Sequence, residues 1–306
     1  MSAAAPFLVK RSGRQAEVQQ NWESLDLARV CGVTCAVDIA LAVVSYPLWH
    51  LKTREQVLGG SAASHLRDLH RHHGWPGLYR GALFGTVGLL PGFCCWVVAY
   101  EWTKWHAARL LPSSAAPGVA AAVGECCWIA LAMPVENVAV RMQCREASAP
   151  LLRPGASWHE VQTLWREGGP TRCWNGGLLG LASSLPHSAT WWLVYENSKS
   201  FLLASKAFDQ VRPEVKQGVA AAGCAAAAIA ASCATTLLLN PLDVVKSQVQ
   251  AASCKEKISL RQYFGGQSLA RLFLRGLGPR LILAAAHGLS DCFTYEATMH
   301  FGKSMP

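Results

Sequence analysis

Long runs of mostly apolar residues, each interrupted by a proline and followed by a charged tail, occur three times along the chain. Their prolines are Pro47, Pro134 and Pro241, and a glutamine follows each by nine positions, at Gln56, Gln143 and Gln250. A second kind of apolar run alternates with the first. It begins at a glycine and ends in Tyr-Glu, with Gly81 to Tyr100, Gly176 to Tyr195 and Gly276 to Tyr295 each nineteen residues apart. A register kept in three places decides architecture before any single residue does. It predicts three units of two helical spans, near 25–51 and 81–106, 117–143 and 176–203, 215–249 and 276–301. The units are 25–112, 113–208 and 209–306, with residues 1–24 as an N-terminal tail. Between the spans lie polar stretches. His65, Leu66, Leu69 and His70 in the first, and Trp158, Val161, Leu164 and Trp165 in the second, share one helical face and predict short amphipathic helices.

Composition moves this helical pattern toward a membrane. The 306 residues are 51% apolar and only 15% charged, which leans away from a soluble enzyme. Each span is interrupted by a proline, glycines or a charge, and a bilayer tolerates such breaks only where they face protein or a water-filled cavity. The formal charge of +9 collects in the connecting segments, at Arg67, Arg71, Arg80, Arg153, Arg166, Arg172, Lys255, Lys257 and Arg261. With no nucleic-acid motif beside it, this basic balance points to anionic lipid and topology rather than nucleic acid. The twelve cysteines include no Cys-x-x-Cys and read as small buried thiols on helices in a reducing compartment rather than as disulfides or a metal site. Met1–Gln15 carries Lys10, Arg11 and Arg14 without an acid and lacks the apolar core of a secretory signal, a composition compatible with a short mitochondrial presequence. No phosphate loop, dinucleotide fingerprint or nucleophile elbow is present, and His70-Arg71-His72-His73 has no acid or cysteine to complete a metal site. An enzyme and a cofactor are therefore not expected.

The combination of a Pro-x-acid-x-x-base sequence with an aromatic-basic-Gly sequence, three times over two spans, resembles the mitochondrial carrier family across about residues 25 to 303. The resemblance implies an all-α membrane protein of six transmembrane helices in three pseudo-symmetric repeats, with three short amphipathic helices on the matrix side. It implies a multi-pass monomer in the mitochondrial inner membrane that moves a small-molecule solute by opening alternately to either side.

Opposite charges on neighbouring helix ends supply a closure that holds and can break, because removing one partner strands the other in a partly desolvated pore. By resemblance, the matrix gate pairs Glu136 with Lys246 and Asp243 with Lys52. In the third pair the acid position holds Trp49 and the base position Ala139, so both charges are missing together and an indole beside a methyl is the expected apolar replacement. Gln56, Gln143 and Gln250 stand where the family braces its bridges. The cytoplasmic gate would use Glu101 with Lys104, Glu196 with Lys199, and Glu296, whose base position is Met299. Gly81, Gly176 and Gly276 would offer helix N-terminal amides to a cardiolipin headgroup.

The family's solute contacts fall at Gly88, Ser183, Ser184 and Leu283, where a cationic anchor is absent. Nucleotides, phosphate and di- or tricarboxylates then lose their natural partner. Asp38, Glu125 and Ser232 each lie nine residues before their proline, and His187 and His287 each eleven residues after their glycine. An acid inside an apolar span reads as a pathway or proton-linked group. The bland reading is that Asp38 and Glu125 reach the aqueous rim or a hydroxyl and that each histidine caps a kink. The expected solute is neutral, zwitterionic or cationic, with proton coupling through His187 or His287 as one form. A second reading stands beside transport: a non-transporting carrier-fold receptor, scaffold or insertion factor, which would explain the lost arginine and the missing bridges.

Overall fold

The computed structural model describes residues 26–112, 115–146, 155–203, 213–252 and 269–288. Helix α1 runs Leu27–Leu58 and starts at Asp26, whose carboxylate accepts the amides of Ala28 and Arg29 at 3.0 and 3.3 Å. Helix α2, Ala62–His73, opens with a capping box between Ser61 and Ser64. A 3₁₀ turn at Trp75–Tyr79 leads into α3, Ala82–Leu110. Then follow α4 (Ala116–Cys144), α5 (Ala156–Gly168), the single turn α6 (Pro170–Cys173) and α7 (Gly177–Leu203). Helix α8 spans Pro213–Ala251, α9 Leu269–Leu274, and residues 277–288 form α10. Among the described residues there is no strand.

Pro47, Pro134 and Pro241 do not end their helices. Each removes one main-chain hydrogen bond, and α1, α4 and α8 then continue to Leu58, Cys144 and Ala251. Helix α1 runs past its expected end at Leu51, while α4 and α8 end within two residues of the expected 143 and 249; Lys, Arg, Glu and Gln are good helix formers. Among the described residues, four stretches are long and apolar enough to cross a membrane: Leu27–Leu58, Trp75–Leu110, Gly118–Cys144 and Ala225–Ala251. Their outward apolar side chains stay exposed, Val44 at 76% and Leu83 at 80%, as a lipid-facing surface requires. The stretches corresponding to a third amphipathic helix and to the end of the last span lie outside the described residues.

The most extensive packing joins α3 to α4 and α7 to α8. Burial is deepest around the proline-kinked ends, where Tyr46, His50, Gln56, Gln143 and Gln250 are all 2% exposed or less. Leu69 of α2 fills a cluster with Leu51 and Leu78, and Leu164 of α5 is likewise buried. Trp158 and Trp165, expected on the same face as Leu164, are exposed instead; amphipathic indoles suit a membrane–water boundary. The described cysteines are free, and none is fully buried, which corrects the expectation of buried thiols.

The ends of α1, α4 and α8 are tied by a cycle of side chains reaching carbonyls. Arg80 donates to Glu146 O, Asn175 to Val249 O, and Arg275 to Glu55 O and Val57 O. These three residues immediately precede Gly81, Gly176 and Gly276, whose φ angles of 79°, 83° and 67° are left-handed. Each glycine lets the chain turn into the following helix while its predecessor satisfies the open carbonyls at another helix's end.

Candidate functional site

The kinked ends of α1, α4 and α8 bring acids and bases together. Lys52 Nζ lies 2.6 Å from Asp243 Oδ2, joining α1 to α8. Lys246 Nζ lies 2.9 and 3.0 Å from the two carboxylate oxygens of Glu136, joining α8 to α4. These side chains keep only 15–19% of their surface, so the attraction is poorly screened and loss of either partner would strand a charge. Gln56 extends the first pair: its amide donates to Asp243 Oδ2 at 3.2 Å and its oxygen accepts from Ser247.

The other two glutamines are used differently. Gln143 donates to the Tyr46 hydroxyl at 3.0 Å, and Gln250 has only a 3.9 Å contact with the Met133 sulfur. The corner between α1 and α4, where Trp49 and Ala139 replace a charged pair, is therefore not a simple apolar patch. Ala139 is buried against Gly85, while Trp49 meets the Tyr46 ring edge-on at 5.4 Å. The α1–α4 connection is made by neutral and arginine donors instead. Tyr46 donates to Arg80 O, the two ring nitrogens of His50 lie 2.9 and 3.1 Å from Leu78 O and Gln143 O, one of which takes the single N–H of the neutral ring, and Arg54 donates to Gln143 O and Arg145 O.

Arg280 was not singled out from sequence. Its Nη1 donates to Asn240 Oδ1 at 2.9 Å and lies 3.2 Å from Asp243 Oδ2, so Asp243 is shared by two cations. An ionisable residue inside an apolar run is the signal that finds it. It has no partner in the repeat, because the matching positions are Gly85 and Gly180.

Of the expected solute contacts, Ser184 lies beside the Glu125 carboxylate, as does the missed Trp96. Ser183 bonds back to Gly180 O, Leu283 is only 6% exposed, and a Cβ on Gly88 would fall 2.7 Å from Val135. Gly88 and Leu283 are thus packing positions. His187 bonds the Thr235 hydroxyl at 3.2 Å, and Asp38 Oδ2 is a buried atom without a partner among the described residues. Ser232 is taken up by Trp191 and by close approach of Gly288. His287 lies on α10. At the other end of α3, Lys104 bonds both oxygens of Glu101 at 3.0 Å within the same helix. Glu296 and the side chains of Glu196 and Lys199 lie outside the described residues. No group of three metal-ligating side chains occurs among the described residues.

Residues 26–109, 112–206 and 217–305 each match the family described as mitochondrial carrier protein. The chain is similar to human solute carrier family 25 member 44, at 25% identity over 304 residues, covering 90% of this chain and 91% of the relative. It is also similar to the putative mitochondrial carrier protein PET8 of Saccharomyces cerevisiae, 25% identical over 291 residues (89% and 93%). The human mitochondrial glutathione transporter SLC25A39 is 29% identical over 248 residues, 76% of this chain and 64% of the relative. These relatives are carriers and transporters, and the matches span the chain from its first kinked helix to its end. The chain belongs to the mitochondrial carrier protein family, a multi-pass solute carrier of the mitochondrial inner membrane.

Proposed function

We propose that this protein moves a small neutral, zwitterionic or cationic solute by alternating access, through a path enclosed by six helices in three repeats. The observation that carries this reading is the two ion pairs that join different helices at their kinked ends. On the side of the kinked prolines, Lys52–Asp243 and Glu136–Lys246 join different helices. On the other side, Glu101 and Lys104 bond within α3. A matrix gate shut by two ion pairs between different helices is one end state of a two-state cycle. The cyclic ties of Arg80, Asn175 and Arg275 support three similar units closed on each other. Solute lies above the matrix pairs, beside Glu125, Ser184 and His187, and the protein acts as a monomer. Cardiolipin headgroups meet the helix starts after Gly81, Gly176 and Gly276.

The test is uptake into liposomes by wild-type and Glu125→Gln protein, across amines, amino acids, nucleotides and carboxylates. Saturable uptake of an amine or amino acid that falls with Glu125→Gln is expected. Uptake confined to nucleotides or dicarboxylates, or unchanged by the substitution, defeats the assigned solute class and role of Glu125.

A further inference from the structure

We propose that Arg280 is the residue that receives the solute's carboxylate, and that the solute is therefore a zwitterion. This rests on the carrier reading above and names the solute class within it.

The cations at the kinked ends are not equally paired. Lys52 and Lys246 each have a carboxylate at 2.6–2.9 Å, whereas Arg280 stands 3.2 Å from an Asp243 oxygen that already takes Lys52 and Gln56. Arg280 is the least firmly paired of the three.

Its geometry is suited to a ligand. Both of its contacts, to Asn240 Oδ1 and Asp243 Oδ2, are made by Nη1 alone. Among the described residues nothing accepts from Nη2 or Nε, and neither atom is shut away as a buried unsatisfied donor. A guanidinium presents five N–H groups in a planar fork that matches a carboxylate in two parallel bonds. Here one edge of the fork is anchored by Asn240 and the other remains for an incoming anion. Asn240 is buried and also holds the carbonyls of Leu272, Phe273 and Arg275, so the anchor is rigid.

The neighbouring groups select the rest of the solute. One open guanidinium edge suits a single carboxylate rather than a dianion. The next acid in the path is Glu125, beside Ser184 and Trp96, which compensates an ammonium. His187, paired with Thr235, lies beside the same region. A carboxylate that engages Nη2 and Nε neutralises part of the guanidinium charge that Asp243 meets through Nη1. Occupancy of the site then weakens the tie between α10 and α8, coupling binding to release of that end.

The experiment uses the purified full-length protein and matched probes that differ only by a carboxylate: L-ornithine with putrescine, L-lysine with cadaverine, L-alanine with ethylamine. Ligand-induced thermal stabilisation and liposome uptake are measured for wild type, Arg280→Lys and Arg280→Gln. In wild type at least one amino acid binds better than its amine. Arg280→Lys keeps the charge but loses the fork, lowering that amino acid's affinity relative to its matched amine by roughly 10-fold, and Arg280→Gln lowers it by roughly 100-fold. If Arg280→Gln does not fold, the comparison of wild type with Arg280→Lys decides. Amino acids that never bind better than their amines, or a preference for them that survives both substitutions, overturns the proposal. Uptake of amines alone would leave the carrier reading standing.

Discussion

At the scale of single residues, the three register glycines show how much a missing side chain can decide. Gly276 has a φ of 67°, and a Cβ built there would lie 2.6 Å from Gln56 Cγ, the glutamine that bonds Asp243. Gly276→Ala therefore meets two penalties: a left-handed conformation that disfavours an L side chain by about 1–2 kcal/mol, and a clash transmitted to the Lys52–Asp243 pair. Gly278, two residues on, has open space around its Cβ position and lies inside α10. Alanine there is neutral or stabilising by up to about 1 kcal/mol, the usual helix preference. Thermal unfolding of both variants in detergent checks the contrast. Equal melting temperatures for the two would show that the glycine before α10 is not conformationally required.

At the scale of elements, the corner between α1 and α4 shows what a pattern of offsets can and cannot disclose. The spacing of acid and base from each proline makes Lys52, Glu136, Asp243 and Lys246 visible in the sequence, and their side chains lie 2.6–2.9 Å apart. The same spacing marks Trp49 and Ala139 as a matched loss of charge, but not what replaces it. The replacement uses Tyr46, His50, Arg54 and Gln143, and most of its acceptors are main-chain carbonyls. Carbonyls are present at every position, so no sequence pattern distinguishes the ones that will be left open at a helix end. Arg280 stayed hidden for a related reason, since a residue without repeat mates is invisible to an argument from repeats. The Tyr46 hydroxyl accepts from Gln143 and donates to Arg80 O while 1% exposed. Tyr46→Phe leaves both groups unsatisfied and should cost about 1–3 kcal/mol. Combined with Gln143→Leu, the losses should fall short of additivity by about 0.5–3 kcal/mol, because the two side chains share one bond. Strictly additive unfolding energies would mean that they stabilise the corner independently.

At the scale of the whole molecule, α8 is the common member of both ion pairs, taking Lys52 of α1 on Asp243 and giving Lys246 to Glu136 of α4. The α1–α4 contact has no such pair. It is held by buried neutral bonds and by Arg54, which carries no carboxylate contact across that corner. Ion pairs between partly hydrated groups can separate when each charge regains solvent, whereas a carbonyl left bare in a dry corner has no such compensation. Opening toward the matrix should then begin with α8 leaving α1 and α4, which move together. Neutralising one member of a pair tests this at the level of the cycle. Glu136→Gln leaves Lys246 without its acid, at a cost of about 3 kcal/mol to the closed form, the low end for a pair that keeps some exposure. That cost is worth roughly a 100-fold shift in the balance of closed and open forms. The exchange Glu136→Lys with Lys246→Glu restores the opposite charges and should recover most of the lost uptake, while each single change is poorly active. With the twelve native cysteines replaced by serine or alanine, accessibility of a single cysteine introduced at Val135 or Val245, measured with an impermeant maleimide from the matrix side, reports the opening directly. It should rise in Glu136→Gln and return toward wild type in the exchange. Labelling that stays unchanged in both would mean that this pair does not hold the matrix side shut.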